Sequence, residues 1–202
     1  MRKPFIQIFF ELLSHFSLRF QYRLADIIAL FVRNTTNQLS RQVRENIALC
    51  FADRGKAEQK KLYQESIRQT CYTFIELAAV WCWPAEKILA QVSSVDICDE
   101  FKRSTRGKII LAPHLGSWET LALWLGNNCN AMMMYKRRKN KAVDQFVAAA
   151  RARSGGIPLP TKVHGLRKLL IGLREGNSLM ILPDQKPTRK KARIDTKFFG
   201  LG

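Results

Sequence analysis

The chain has 202 residues, with 34 Lys and Arg against 16 Asp and Glu, hence a formal net charge of +18. Apolar residues make up 47% and charged residues 25%, close to globular averages, so this is one domain's worth of chain with a sizeable core and not a disordered basic tail. The excess charge sits on a folded protein and points to acidic partners: nucleic acid, anionic lipid, a phosphorylated substrate or an acidic protein.

Residues 5–32 hold six of the twelve Phe, and apolar residues recur there at helical spacing (Ile6, Phe9, Phe10, Leu13, Phe16, Phe20, Leu24, Ile27, Ile28, Phe31). Glu11, Arg19, Arg23 and Asp26 interrupt the run, so no uncharged stretch approaches the ~20 residues a membrane span needs. No small-residue cleavage site follows a short apolar core, which argues against a signal peptide. The Phe concentration and flanking Arg favour an amphipathic helix at a membrane interface over an ordinary core-facing one. The expected organisation is a membrane-associated helix over 1–35 and a second region over 36–202, helical to residue 105.

Two further helices are predicted over Arg41–Phe51 and Leu62–Cys82, the second stopped by Pro84. The five cysteines (50, 71, 82, 98 and 129) form no CxxC pair and no zinc-type cluster with His. This fits buried thiols in a reducing compartment. From residue 106 the pattern changes. Lys108–Ala112, Ala131–Tyr135 and Ser178–Leu182 are strand candidates, and helices are predicted over Ser117–Leu125, Ala142–Arg153 and Val163–Leu173. In the last helix Val163, Leu166, Leu169, Leu170 and Leu173 are expected to face inward. Strands alternating with helices specify an α/β class: a helical N-terminal region, then βαβ units on a mostly parallel sheet with its chemistry at the strands' carboxyl ends.

The segment His114-Leu115-Gly116-Ser117-Trp118-Glu119 directly follows the first strand. On a continuous helix, His and Glu five apart would point about 140° away from each other. A turn brings them together: Pro113 ends the strand, Gly116 permits an unusual backbone angle, and Ser117 can cap the next helix. Glu119 then falls in the first helical turn, where the dipole favours a carboxylate. A carboxylate on one ring nitrogen would fix the tautomer and make His114 a general base toward a hydroxyl. Ser117 lacks a GxSxG elbow, so capping is preferred to a nucleophilic role. Asp184 and Gln185, just past the last strand, would support an acceptor site or form an Asx-type turn. His15 and His164 have no acidic partner in a suggestive arrangement.

HLGSWE in this context resembles the H-x4-D/E block of the lipid A biosynthesis acyltransferases that transfer lauroyl or myristoyl chains, whose usual form is close to H-x-G-N-W-E. Further blocks agree in order: Arg44-Glu45-Asn46-Ile47 with Cys50-Phe51, Tyr135-Lys136 with Asn140, Arg151-Ala152-Arg153-Ser154-Gly155-Gly156, Pro183-Asp184-Gln185 and Phe198-Phe199-Gly200. The resemblance implies a glycerolipid-acyltransferase-like fold that is incomplete at its C-terminus, because members continue past the FFG block. It also implies acyl transfer from an acyl-carrier-protein thioester, or alternatively acyl-CoA, to a hydroxyl of a lipid A precursor. The setting would be the cytoplasmic face of the inner membrane.

His114 would then deprotonate the acceptor while Glu119 holds the imidazole, and Arg151 or Arg153 would bind the oxyanion or a lipid phosphate. Tyr135, Lys136, Asp184 and Gln185 would bind substrate. No metal or other cofactor is implied. Another acceptor, such as a lysophospholipid, an ornithine lipid or a glycosylated phosphoinositide, keeps the same chemistry.

A non-catalytic basic protein for membrane or nucleic acid is the alternative of another class. The runs Lys136–Lys141 and Lys186–Arg193 would support it. Their aromatics are not interleaved for base stacking, and no helix-turn-helix or zinc-finger spacing is present, so nucleic acid is not expected. From Lys136 onward there are 17 basic and 4 acidic residues, against 17 and 12 in the first 135. That concentration after the HLGSWE block suits an acidic carrier and a phosphorylated lipid.

Overall fold

Helices fill the first half of the chain, as the spacing of apolar residues predicts, but the single helix expected across residues 5–32 is two. Helix α1 (Phe5–Ser14) ends at His15, and α2 (Leu18–Arg33) starts afresh because the Ser17 side chain accepts a hydrogen bond from the Phe20 N–H at 3.3 Å. Helix α3 (Gln38–Cys50) starts the same way, with Asn37 accepting from the Ser40 N–H at 2.9 Å. Helix α4 (Lys56–Cys82) and the short α5 (Ala85–Leu89) follow. The computed structural model describes residues 3–97, 101, 104–184 and 197. Its chain divides into one unit of residues 1–16 and 77–184 and another of residues 17–76 and 185–202.

In the second unit α2 buries Gln21, Ala25 and Ala29, a four-residue repeat of one face. Polar contacts tie it to α4. Arg68 donates to Asp26 at 2.7 Å, Tyr72 donates to the same carboxylate at 2.8 Å, and the Tyr63 hydroxyl reaches the Arg33 carbonyl at 3.0 Å. The opposite face of α2 leaves Phe20, Ile27, Leu30 and Phe31 exposed beside exposed Arg19 and Arg23. Among the described residues no helix is long and apolar enough to cross a membrane.

The first unit carries the sheet. Strands β1 (Lys108–Leu111), β2 (Met132–Tyr135), β3 (Ile157–Pro160) and β4 (Ser178–Ile181) lie in the order β1-β4-β2-β3, and every pairing is parallel. The α/β class with a helical N-terminal region is therefore as expected. Helix α6 (Trp118–Cys129) packs Ala122 and Leu125 on one face of the sheet, against Ala112, Ala131, Met133 and Met180. Helix α7 (Lys141–Ala152) lies beside α6 and β3. On the other face α8 (Val163–Arg174) sets Leu169 against Met132, Leu159 and Leu179. Met132 and Met133 are buried in β2, and Met134 is half-buried.

Strand β3 was not foreseen, since Pro158 and Pro160 argue against a strand. It survives as an edge. Ile157 donates to the Ala131 carbonyl at 2.9 Å and Thr161 to the Tyr135 carbonyl at 3.0 Å, so the alternate positions, both proline, need no donor toward the sheet. Helix α8 is also rotated from expectation. Leu169 is buried, but Val163, Leu166 and Leu170 are exposed. The reason is close approach: a Cβ on Gly165 would meet the Pro160 carbonyl oxygen at 2.0 Å, and one on Gly172 would meet the Met132 sulfur at 2.6 Å. The glycines, not the leucines, define the contact line. Cys50, Cys71, Cys82 and Cys129 are free, and burial pushes the Cys71, Cys82 and Cys129 thiols up from their usual range, as inert packed thiols should be.

Candidate functional site

Two neighbouring parallel strands end alike. Strand β1 runs into Ala112-Pro113-His114, and β4 into Leu182-Pro183-Asp184. Their register pairs Leu111 with Ile181, and the Ala112 N–H donates to the Ile181 carbonyl at 2.9 Å. His114 and Asp184 therefore sit three residues beyond paired positions, at the carboxyl edge where such sheets place their chemistry. Asp184 Oδ1 lies 2.7 Å from His114 Nδ1, and Oδ2 accepts the His114 backbone N–H at 2.7 Å. Burial alone would raise the Asp184 pKa, but these bonds from His114 outweigh it and hold the carboxyl below its usual range. The stability this contact contributes is thus present above the ordinary aspartate range and fades as pH falls through the lowered value. The Trp118 ring meets the imidazole edge-on, with centroids 5.1 Å apart.

Gly116, at φ +59°, makes the turn between base and helix that the sequence calls for. Ser117 does stand at the N-cap of α6, but its hydroxyl bonds the Thr120 hydroxyl at 2.8 Å and caps no backbone N–H.

The expected pairing of Glu119 with His114 is replaced by another. Glu119 is 4% exposed and receives the Arg151 Nε at 3.0 Å on Oε2 and 3.2 Å on Oε1, with Arg151 Nη2 also on Oε1. The physical reason is burial. A carboxylate so deep requires a counter-charge, and Arg151, in the last turn of α7, is the cation that reaches it. Burial disfavours the guanidinium charge, and the Glu119 bonds more than compensate, so the Arg151 pKa is raised.

Arg153 does different work. It donates to the carbonyls of Val80 and Ala150, near the C-terminal ends of α4 and α7, and burial lowers its pKa. The two arginines thus differ in their contacts, Arg151 on the Glu119 carboxylate and Arg153 on helix ends. Tyr135 and Lys136 lie at the carboxyl end of β2, half-buried and exposed respectively. Asn140 is a helix cap, accepting from the Ala142 N–H at 2.9 Å. Gln185, Phe198, Phe199 and Gly200 lie outside the described residues, as does the run 186–193. His15 lies within electrostatic reach of Glu11, whereas His164 joins no ion pair among the described residues. No group of His, Cys, Asp and Glu suited to a metal occurs among them either.

Sequence reasoning missed an apolar groove of about 610 Å³ on the α6 side of the sheet. Ser117, Thr120, Leu121 and Trp124 of α6, Ile110 of β1 and Val92, Val95 and Ile97 line it. It opens within three residues of His114 in sequence and is within the size range of small-ligand sites. The i, i+4, i+7 spacing of Ser117, Leu121 and Trp124 on one face of α6 was the available signal.

The sequence profile for bacterial lipid A biosynthesis acyltransferases matches residues 5–201. Lipid A biosynthesis acyltransferase 2 of Shigella flexneri is 23% identical over 161 residues, covering 78% of this chain and 51% of that protein. The lipid A biosynthesis myristoyltransferase of Escherichia coli K12 is 26% identical over 143 residues, covering 69% of this chain and 44% of its own length. The chain thus spans about half the length of the curated relatives it matches. With a profile match across nearly all its residues, the chain belongs to the bacterial lipid A biosynthesis acyltransferase family.

Proposed function

We propose that the protein moves a fatty acyl chain from an acyl-carrier-protein thioester to a hydroxyl of a lipid A precursor, with His114 as general base. The observation that carries this reading is the His114 imidazole at the carboxyl end of β1. Its Nδ1 is engaged, and its Nε2 has no hydrogen-bond partner among the described residues. Nε2 takes the acceptor's proton, the alkoxide adds to the thioester carbonyl, and the tetrahedral intermediate expels the carrier's thiolate, which recovers the proton from the imidazolium. Glu119 supports the site by holding Arg151. The Nη1 group, the one Arg151 nitrogen not bonded to Glu119, is left to donate to the oxyanion. Exposed Lys136, Arg137, Arg138 and Lys139 follow β2 at the same edge of the sheet and suit lipid phosphates or an acidic carrier. The exposed Phe20, Ile27 and Phe31 face of α2, flanked by Arg19 and Arg23, suits the cytoplasmic surface of the inner membrane.

In this reading the groove along α6 takes the acyl chain. Leu121→Trp should shorten it, and kcat/KM for the longest donors should fall by roughly 10- to 200-fold, while shorter donors are spared. An unchanged donor profile across a series of acyl-carrier-protein thioesters would remove the groove from the account. The function itself is tested by supplying acyl-carrier-protein or acyl-CoA donors with a lipid A precursor, a lysophospholipid and an ornithine lipid. Transfer from the carrier to the lipid A precursor is expected. Transfer only to another lipid corrects the acceptor. Absence of transfer, with salt-sensitive retention on anionic vesicles or DNA, favours the binding-protein reading.

A further inference from the structure

We infer that the outer face of α8 is a docking surface for an acidic protein partner. In the acyl-transfer reading above, on which this inference rests, that partner is the carrier of the acyl donor. Gly165, Leu169 and Gly172 hold one side of the helix to the sheet. The other side leaves Val163, Leu166 and Leu170 exposed in one stripe at i, i+3 and i+7, with Val163 87% exposed. Exposed Lys162, Arg167, Lys168 and Arg174 stand beside the stripe, and α8 itself contains no Asp or Glu. None of these cations joins an ion pair among the described residues. Lys162, at the N-cap, makes no cap bond and sets a cation at the positive end of the helix dipole. A negatively charged partner relieves that repulsion.

Topology and composition select the class of partner. Strands β3 and β4 are parallel, so α8 between them runs back from the carboxyl edge of the sheet to its amino edge. Its first turn stands at the edge that carries His114, and its 12 residues, about 18 Å of helix, follow the flank. A bilayer that presents a lipid to His114 lies across the edge and leaves the flank free. The stripe also lacks the aromatics of an interfacial helix, which α1 and α2 do expose at Phe5, Phe9, Phe20 and Phe31. Nucleic acid would leave the apolar stripe uncovered, and a second copy meeting α8 with its own α8 would set cations against cations. The run 186–193 repeats the positive sign. A protein with acidic side chains around a small apolar patch matches both stripe and cations. Docked on the flank, it delivers the thioester over the edge on a flexible tether and leaves the edge to the lipid.

The test uses the whole chain with fluorescently labelled dodecanoyl-acyl carrier protein and a lipid A precursor. Combining Arg167→Glu, Lys168→Glu and Arg174→Glu should raise the Kd for the carrier by roughly 10-fold or more and flatten its salt dependence. Leu166→Ser with Leu170→Ser should weaken binding through a faster off-rate. In both variants the KM for the carrier-bound donor should rise against that for dodecanoyl-pantetheine, with kcat nearly unchanged. All five positions are exposed, so thermal unfolding should follow the wild type. Unchanged carrier Kd and KM in both variants would overturn the inference. It also fails if Arg137→Glu with Arg138→Glu abolishes carrier binding while the α8 variants keep it, which moves docking to the loop after β2. Loss of retention on phosphatidylglycerol vesicles with carrier binding intact would make α8 a lipid contact and sink the proposal as well. A wild type that transfers from no donor defeats the acyl-transfer reading itself, whereas a failure confined to the α8 variants leaves that reading standing.

Discussion

Replacing His114 with Ala is expected to lower acyl transfer by roughly 10²- to 10⁴-fold, the range typical of a positioned general base, while leaving the fold intact. The side chain is 28% exposed and stands past the end of β1, so its removal opens no core cavity. The loss should fall on kcat rather than KM, since the imidazole interacts with the acceptor's proton mainly as it departs. Steady-state transfer to a lipid A precursor, with thermal unfolding of the same preparation, checks both halves. A variant that unfolds with the wild type and transfers at the wild-type rate would rule out His114 as the base.

The largest stability effect is expected at Glu119 and Arg151. Glu119→Leu leaves the Arg151 guanidinium without its bidentate partner in a site where the side chains are 5% and 19% exposed. Breaking such a pair from one side costs about 3–5 kcal/mol, which for a chain of this size corresponds to a drop in Tm of roughly 10 °C. Adding Arg151→Met should recover much of that loss, because a matched apolar pair removes both desolvation penalties at once. Activity should not return with it, since the donor proposed for the oxyanion is then gone. Urea unfolding of the two single variants and the double variant forms a cycle that isolates the pair. An additive cycle would show that the two side chains are not coupled.

What the sequence made legible, and what it hid, divides along local and non-local information. Helix and strand positions followed from apolar spacing and from Pro84, Pro113 and Pro183, since these depend on neighbours a few residues away. The turn at Gly116 was legible for the same reason. Strand β3 was hidden because Pro158 and Pro160 are admissible only at an edge, and strand order is a tertiary fact. The face of α8 was misread because hydrophobicity favours Leu166 and Leu170, while the contact is set by the absence of side chains at Gly165 and Gly172. The H-x4-E spacing pointed to a local pair, and no short-range rule could name Asp184, which arrives through sheet register. The family blocks named His114, Glu119, Arg151 and Asp184 without saying which of them touch.

The matching ends of β1 and β4 make the His114–Asp184 contact a reporter of assembly. Between His114 and Asp184 in sequence lie three strands and three helices, and the bonds between the two residues form only when β4 slots between β1 and β2. Contacts of such sequence separation are late and slow to form. During synthesis, then, a chain whose fourth strand is still emerging holds His114 without its carboxylate partner.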